Sequence, residues 1–298
     1  MKFEIVCDSA ADLPRAYTEE QRVTVVPFYV SLDGETYQKE GEELSIRDFY
    51  QSMADRDDCF PRTSMPAIQD YIDAFLPFVE KNVPVLCICL TQKFSGSMQS
   101  AMEARLAILE DCPEAEICVM DSRLVTALQG LFVSEACRLR DLGLSLDRAV
   151  ELLEPIRSTG RIFFTTKDLK YLEHGGRLNK AVRIAGTMLN LKPILTFCDG
   201  ELGPVEVSRG RKKSLEKVAD NFFAYLDREQ IDLKGWLFGT GLGLDVPEYE
   251  GFVQNLEQRF RETGKHPDLW IRVHIGATIG VHTGPYPVGL GILKKCDI

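Results

Sequence analysis

The first half of this chain alternates apolar strands with amphipathic helices, and this alternation limits the folds open to it. Strands are predicted at Phe3–Cys7, Val23–Ser31, Val83–Leu90 and Glu116–Met120. Helices are predicted at Pro66–Glu80, at Met98–Leu109 and from Leu124 onwards. Apolar strands that are separated by helices are typical of a parallel sheet covered on both faces. The sequence therefore predicts a three-layer α/β domain.

The pattern changes near Ser158-Thr159-Gly160, where hairpins begin to mix with helices. Strands are predicted at Arg161–Thr165, Leu191–Phe197, Gly203–Val207, Gly235–Gly239, Leu269–His274 and Gly289–Leu293. Helices are predicted up to His174 and at Lys180–Leu189, Lys212–Leu226 and Glu248–Thr263. This mixture favours an α+β domain with helices on one face of a mixed sheet. For a chain of 298 residues we predict two domains, residues 1–159 and 160–298.

Charge and composition exclude several classes of partner. The net charge is −10, whereas nucleic acids and anionic membranes require a basic face. No stretch approaches the roughly 20 apolar residues of a membrane span, and the N-terminus resembles a strand rather than a signal peptide. The nine cysteines are scattered, which favours buried thiols in a reducing cytosol. We therefore expect a cytoplasmic protein with neither nucleic acid nor membrane as its main partner.

Two predicted loop–helix junctions carry small hydroxyl side chains. Thr63-Ser64-Met65-Pro66 opens one helix, and Ser95-Gly96-Ser97 opens another directly after the strand Val83–Leu90. Free N–H groups at a helix start can hold a small anion without a basic residue. Either junction alone is also what an ordinary capped helix needs. Because both are expected at the carboxyl edge of the sheet, the pair favours an anion site.

A glycine-rich segment, Gly276–Pro285, contains His282, one of only four histidines. We expect no packed helix there, and His282 is either a structural histidine or a ligand group. Gly175-Gly176-Arg177 is either a helix C-cap followed by a surface arginine or part of a site. Gly239–Gly243 lacks both GxGxxG spacing and a P-loop lysine, so we interpret it as a strand-to-helix turn. The other histidines have no ligand spacing with acidic residues, and we expect no metal site.

Ser95 and His282 also suggest an acyl-ester hydrolase, with a serine nucleophile and a histidine base. The nucleophile elbow G-x-S-x-G is absent, because Phe94 precedes Ser95 and Ser97 follows Gly96. No acidic residue stands out as a partner that would orient His282. Binding without catalysis is therefore the better interpretation, and hydrolysis stays the alternative.

Taken together and in this order, the motifs resemble those of the DegV family of bacterial fatty-acid-binding proteins. The segments that carry the resemblance are Asp8–Leu13, Thr63–Pro66, Phe94–Ser97, Asp121-Ser122, Tyr171–Leu178, Lys192–Leu195 and Ile279–Pro285. They span nearly the whole chain. Singly they would be weak, but jointly they are specific.

The resemblance implies a carrier rather than an enzyme, which needs no cofactor and binds a long-chain fatty acid such as palmitate, stearate or oleate. It implies that Thr63 and Ser95 hydrogen-bond the carboxylate at the domain junction, with His282 near it. Further candidate head-group or partner contacts are Ser64, Gly96, Ser97, Arg177, Arg209 and Thr283. Relatives of this kind present the fatty acid to a separate ATP-dependent fatty acid kinase, which converts the carboxylate to an acyl phosphate for lipid metabolism.

Three further features bear on partner and pocket. Arg209, Arg211, Lys212 and Lys213 form the densest basic run, which is either a docking surface for the kinase or a solvated helix start. Ile184, Met188 and Leu189 are candidate tail contacts, although core packing also explains them. The chain departs from the family pattern at Ala67, His174 and Tyr286-Pro287, and the last of these affects the loop beside His282.

Overall fold

The computed structural model describes residues 3–56, 59–167, 169–177 and 191–298. In chain order the strands are β1 (Glu4–Asp8), β2 (Val23–Val26), β3 (Tyr29–Ser31), β4 (Gln38–Lys39), β5 (Arg62–Ser64), β6 (Val85–Cys89), β7 (Ile117–Asp121), β8 (Arg161–Thr165), β9 (Leu191–Cys198), β10 (Glu201–Arg209), β11 (Trp236–Leu242), β12 (Leu269–His274) and β13 (Val288–Lys294). The α-helices are α1 (Arg15–Glu20), α2 (Ile46–Ala54), α3 (Ile68–Val79), α4 (Ser97–Asp111), α5 (Thr126–Asp141), α6 (Leu146–Leu153), α7 (Lys170–His174), α8 (Arg211–Arg228), α9 (Val246–Thr263) and α10 (Ala277–Thr283).

The predicted parallel sheet is confirmed, with the strand order β2-β1-β6-β7. Every residue of β6 is buried, because helices cover both faces of the sheet. On one face Tyr71 and Phe75 of α3 pack with Ala104 of α4 against the strands. On the other face α5 packs against Ile5 and its neighbours. These are the three layers that the sequence predicts.

The second sheet is mixed and has the strand order β10-β9-β8-β13-β11-β12. Only the β11–β12 pair is parallel, and the other neighbouring strands run antiparallel. Helices α8 and α9 cover one face through an aromatic core that includes Phe222, Phe238 and Phe260. This agrees with the predicted α+β domain. The boundary between residues 159 and 160 stays a prediction.

Helix α5 lies between the two sheets, and 13 of its 16 residues are buried. Leu128 and Phe132 belong to one core that includes Ile88 of the parallel sheet and Phe197 of the mixed sheet. A Cβ atom on Gly130 would lie 2.7 Å from the carbonyl oxygen of Ala11, so glycine permits this close packing. The sequence predicts one buried stripe on this helix, but a helix packed between two sheets is buried on most sides.

One local prediction is wrong, and two elements were not predicted. The predicted strand Val23–Ser31 is divided into β2 and β3 around Pro27, which has no N–H to donate to a sheet. Strand β3 joins a small antiparallel sheet in the order β4-β3-β5, which the sequence analysis did not predict. Helix α2 was also not predicted, whereas the predicted helix Lys180–Leu189 lies outside the described residues.

Candidate functional site

The parallel sheet changes its direction of winding between β1 and β6. Strand β2 lies on one side of β1 and β6 lies on the other, so the loops after β1 and β6 diverge. Ligands in open α/β sheets bind in the crevice at such a switch point. A small pocket, which we call the polar pocket, opens beside the carboxyl end of β6. Its lining residues are Phe28, Thr63, Met65, Leu90, Phe94, Ser95, Gly96, Arg177, Thr278, Ile279 and His282.

The polar pocket contains the three residues that the sequence analysis predicted to bind a carboxylate. Thr63 comes from β5, Ser95 from the loop before α4, and His282 from the last turn of α10. Gly96 and Arg177 also line it. The fold therefore brings together five of the predicted residues, although Thr63 and His282 are more than 200 residues apart in sequence.

The predicted position of Thr63 at a helix start is wrong. Thr63 and Ser64 lie in β5, where Thr63 is opposite Val30 of β3. Helix α3 begins only at Ile68, and the Asp70 carboxylate accepts the Ala67 N–H at 2.8 Å. Thr63 can therefore offer its hydroxyl to a ligand, but it has no helix N-terminus beside it.

The second junction has the predicted form, because α4 begins at Ser97 with Gly96 before it. The Ser97 N–H donates to Ser95 Oγ at 3.2 Å, which fixes the serine turn. Met65 covers Gly96 so closely that a Cβ there would lie 2.6 Å from the methionine sulfur. Ser95 itself is half-buried at the wall of the polar pocket.

Four of the predicted contacts lie elsewhere. Ser97 is fully buried, and its hydroxyl lies 2.7 Å from an Asp8 carboxylate oxygen and 2.6 Å from the Tyr71 hydroxyl. Ser64 is exposed on β5, and Arg209 is exposed at the end of β10. Thr283 lines a neighbouring apolar cavity instead of the polar pocket.

His282 lies in a helix, which contradicts the prediction that this glycine-rich segment is not helical. The segment becomes helical because glycine permits close packing: a Cβ on Gly280 would lie 2.7 Å from Phe49 of α2. Gly175 lies against the imidazole, and a Cβ there would be 2.1 Å from Nδ1. Burial, with a smaller contribution from Arg177, lowers the pKa of His282 to about 4. The imidazole is therefore neutral at pH 7 and can donate one N–H.

Arg177 supplies the positive charge of the polar pocket. Its guanidinium donates to the carbonyl oxygens of Gly175 at 2.6 Å and Phe94 at 3.1 Å. Among the described residues no carboxylate lies within ion-pair distance of it. A guanidinium has five N–H donors, so Arg177 keeps donors for a ligand and attracts anions to the opening.

An apolar cavity adjoins the polar pocket and lies between the first turn of α5 and the mixed sheet. The two share the lining residues Phe94, Arg177, Ile279 and His282, so they lie side by side. Its walls are almost wholly apolar and include Val125, Leu128, Ile162, Phe164, Leu172, Phe197, Leu202 and Ile275. Such walls suit an acyl chain, because removal of its methylene groups from water is favourable.

Four glycines form one wall of the apolar cavity. Gly239 of β11 is opposite Gly291 of β13, and Gly241 is opposite Gly289. Two adjacent pairs leave a patch of backbone without side chains of its own, about 5 by 7 Å from the spacings within and between strands, and Ala127 and Leu128 of α5 lie against part of it. The interpretation of Gly239–Gly243 as a turn is therefore wrong for Gly239 and Gly241, which lie within β11. Glycine inside a strand marks close approach of a ligand or another backbone.

The described residues offer neither a metal centre nor a membrane-spanning helix. Across the described ranges, no group of three or more His, Cys, Asp or Glu side chains is arranged to hold a metal ion. Within the same ranges, no helix is both long enough and apolar enough to span a membrane.

Comparison with known proteins identifies the family. A family model described as an uncharacterised protein of the DegV family matches residues 2–295. The chain belongs to the DegV family. A DegV domain-containing protein of Listeria monocytogenes is 31% identical over 291 residues, which are 97% of each chain.

Solved structures of DegV proteins share the fold. A stearic-acid-binding protein from Eubacterium ventriosum is 38% identical with a TM-score of 0.91, and the match covers 98% of both chains. A fatty-acid-binding DegV protein from Thermus thermophilus is 28% identical with a TM-score of 0.86, covering 99% of this chain and 100% of that one. The predicted resemblance and the two-domain DegV fold are therefore confirmed.

The sequence analysis missed the apolar contributors to the polar pocket. Leu90 and Phe94 flank the predicted serine junction, and Ile279 lies one helical turn before His282. Their closeness in sequence to predicted site residues could have identified these three. Phe28 and Thr278 gave no such signal, because only the packing of the small sheet and α10 brings them to the pocket.

Proposed function

We propose that this DegV-family chain is a carrier that binds one long-chain fatty acid, such as palmitate, stearate or oleate. The tail occupies the apolar cavity and the carboxylate occupies the polar pocket. The observation that carries the proposal is that the two adjoin: an apolar cavity shares four lining residues with a pocket that contains the hydroxyls of Thr63 and Ser95, a neutral imidazole and a guanidinium with no carboxylate partner among the described residues. A fatty acid has the same division between a long apolar part and one charged end.

Burial of the tail supplies most of the affinity. About 14 methylene groups at about 0.8 kcal/mol each give roughly 11 kcal/mol on full burial. Association and ordering cost about 4–15 kcal/mol, so a part of this survives as affinity. The hydroxyls of Thr63 and Ser95 and one N–H of His282 then orient the carboxylate as hydrogen-bond donors.

A crystal structure with added palmitate tests this proposal. We expect electron density for the tail along the glycine wall, and a carboxylate oxygen within hydrogen-bond distance of Thr63 Oγ1 or Ser95 Oγ. Density for the carboxylate at any other opening would contradict the assignment of the head group. Absence of palmitate from both cavities at saturating concentration would contradict the binding function.

An acyl-ester hydrolase is the second candidate, because Ser95 and His282 line the same pocket. Two features oppose it. The buried Nδ1 of His282 has no hydrogen-bond partner in the described part of the chain, so no carboxylate orients the ring. Ser95 Oγ accepts an N–H from Ser97, which is a structural contact. A fluorophosphonate adduct on Ser95, with turnover of p-nitrophenyl esters, would favour the hydrolase.

We also propose that the loaded protein is the substrate of a separate fatty acid kinase that forms an acyl phosphate. Arg209, Lys212 and Lys213 are exposed and supply a basic docking surface on an otherwise acidic chain. Arg211 is unsuitable as a docking residue, since its guanidinium pairs with Glu248 at 2.6 Å and bonds the Tyr286 carbonyl at 2.8 Å.

Variants of the basic surface test the kinase proposal. Arg209→Ala with Lys213→Ala should leave palmitate affinity unchanged yet slow acyl-phosphate formation by the kinase, most clearly at low salt. Lys234→Ala, an exposed lysine in the turn before β11, is the matched control. A rate that is equal for both variants at every salt concentration would place docking on another face.

A further inference from the structure

Three buried carboxylates lie behind the walls of the two cavities. Asp8 is 0% exposed, Glu40 is 6% exposed and Asp12 is 9% exposed. All three also line a separate outer cleft of about 820 Å³ at the ends of β1 and β2. No described lysine, arginine or histidine lies within ion-pair distance of any of them. Burial of a charge without a counter-charge is costly, so these groups require an explanation.

Asp8 and Glu40 each hold a residue of the polar pocket. One Asp8 oxygen accepts the Leu90 N–H at 2.8 Å. Glu40 accepts the Thr278 N–H at 2.8 Å and the Thr278 hydroxyl at 2.6 Å, and it also accepts the Ser9 hydroxyl. Thr278 lies in the first turn of α10, the helix that carries His282. Glu40 therefore fixes the helix that presents the imidazole.

Asp12 holds a residue of the apolar cavity in the same way. One of its oxygens accepts the hydroxyl of Thr126, which lines that cavity. The other, Oδ1, is buried beside the backbone of Gly276. A Cβ on Gly276 would lie 2.5 Å from this oxygen and 2.6 Å from Glu40 Oε1, so both carboxyl groups flank Gly276 and leave no room for a side chain there.

We propose that binding of a fatty-acid carboxylate in the polar pocket is linked to proton uptake by the buried carboxyl groups of Asp8 and Asp12, which lie with that of Glu40 behind the walls of the two cavities. The same three groups are positioning residues for the lining of both cavities. This inference rests on the proposed fatty-acid binding and adds its pH dependence.

Like-charge repulsion supplies the linkage. A bound carboxylate adds a negative charge to a pocket lined by Leu90 and Thr278, whose N–H groups donate to Asp8 and Glu40 respectively. Repulsion in a poorly solvated site raises the pKa of a neighbouring carboxyl group. Burial already raises the pKa of Asp8 to about 6, although the hydrogen bonds that Asp8 accepts from Leu90, Gln129 and Ser97 lower this pKa. Burial is the main cause that raises the pKa of Asp12, and electrostatic repulsion from Glu40 raises it further.

The groups that face this cluster do not neutralise it. Cys7, Tyr50 and Tyr71 surround the carboxyl groups, and burial raises the pKa of each, so they stay uncharged at neutral pH. Tyr71 lies between Cys89 and Asp8, and the Cys89 sulfur is 3.8 Å from the Tyr71 hydroxyl. Across the outer cleft lie Arg15, Glu19, Glu42, Arg272 and His274, whose mixed charges are exposed to solvent.

The size of the effect follows from Asp8. If the ligand raises the pKa of Asp8 from about 6 by about one unit, binding takes up about 0.5 proton at pH 6.5. By linkage the affinity for the lipid then rises about fourfold between pH 7.5 and pH 6.0. Uptake by Asp12 adds to both numbers.

Calorimetry in buffers of different ionisation enthalpy measures this uptake directly. Palmitate is titrated into the full chain at pH 6.5, and the dependence of the binding enthalpy on the buffer gives the number of protons. We expect uptake of about 0.5 or more. Asp8→Asn and Asp12→Asn should each reduce it, whereas Glu42→Gln, an exposed carboxylate of the same cleft, should not.

His282→Gln separates the carboxyl groups from the imidazole, which could also accept a proton beside the ligand. Uptake that persists in this variant supports the proposal, and uptake that disappears only in this variant overturns it. Binding heats without any dependence on the buffer overturn the proposal but leave fatty-acid binding intact. Absence of binding heat at every pH refutes fatty-acid binding itself.

A second measurement needs no lipid and covers variants that fold poorly. A carboxyl group whose pKa is raised on folding stabilises the protein below its ordinary pKa, and this stabilisation is lost as pH rises through about 6. The stability difference between wild type and Asp8→Asn should therefore change between pH 4 and pH 7. A difference that is constant over this range would show that Asp8 does not titrate there and would overturn the proposal.

Discussion

The double variant Thr63→Val with Ser95→Ala tests the head-group assignment most sharply. Both changes remove a hydroxyl and keep the shape: valine matches threonine and suits strand β5, and alanine differs from serine by one oxygen. Both side chains are half-buried in the wall of the polar pocket. The tail cavity is untouched, so any loss of affinity belongs to the carboxylate.

The expected loss follows from the hydrogen bonds removed. A hydrogen bond to a charged group contributes about 1.5–3 kcal/mol when it is buried, and partial exposure reduces this to about 1–1.5 kcal/mol here. The double variant should therefore lose about 2–3 kcal/mol, or about 30- to 150-fold in affinity, since about 1.4 kcal/mol is tenfold. Each single variant should lose about half of that free energy.

Displacement of a fluorescent fatty acid by palmitate measures this loss at one pH and salt concentration. Ser64→Ala is the matched control, because Ser64 is adjacent to Thr63 but exposed and outside the pocket lining. A thermal unfolding curve must show that the double variant remains folded. If the folded double variant binds palmitate as tightly as wild type, the carboxylate does not lie between these hydroxyls.

Three further predictions concern the tail, the core and pH. Gly241→Val places atoms 3.0 Å from Ile275 in the apolar cavity, so calorimetry should show a larger loss of affinity for palmitate than for a shorter fatty acid; an equal loss for both would refute the glycine wall. Phe222→Ala should lower the unfolding free energy in urea by about 3–5 kcal/mol, because this ring is fully buried in the aromatic core; a loss under about 1 kcal/mol would contradict that packing. Because burial holds the pKa of His282 near 4, the unfolded chain binds more protons than the folded one between pH 6.5 and 4. Stability should therefore fall as pH falls through this range, and His282→Gln should flatten the dependence in a denaturation series.

The fold could largely be predicted because hydrophobic periodicity reports sheets and long helices. The limits of β8 and β12 agree with the predicted strands, and α4 extends the predicted helix by one or two residues at each end. The small sheet could not be predicted in this way, since β4 has two residues and β3 and β5 have three. Such short strands show no period.

Helix α10 escaped prediction for a different reason. Gly276, Gly280 and Gly284 give a composition typical of a loop, and glycine is a poor helix former in isolation. Here the helix is stabilised by tertiary contacts, since Gly280 lies against α2 and Glu40 accepts from Thr278, 238 residues later in the chain. A local pattern contains no information about such a distant carboxylate.

The site residues were identified by composition, and their arrangement was only partly predicted. Small hydroxyls beside predicted helices indicated Thr63 and Ser95, which both line the polar pocket although Thr63 lies on a strand. Their contact with a carboxylate stays a prediction. The same argument wrongly placed Ser97 at the ligand, because its hydroxyl is used by Asp8 and Tyr71. Which of two neighbouring serines faces a pocket depends on the start of the helix, to within one residue, and sequence patterns do not fix helix ends so closely.

The central claim, that this chain carries a fatty acid, is tested most directly by native mass spectrometry of the protein made in bacteria. We predict one non-covalent adduct per chain with the mass of a long-chain fatty acid, which is released on unfolding and identified in the organic extract. The chain recovered at its bare mass, and still without an adduct after incubation with palmitate or oleate, would contradict the account.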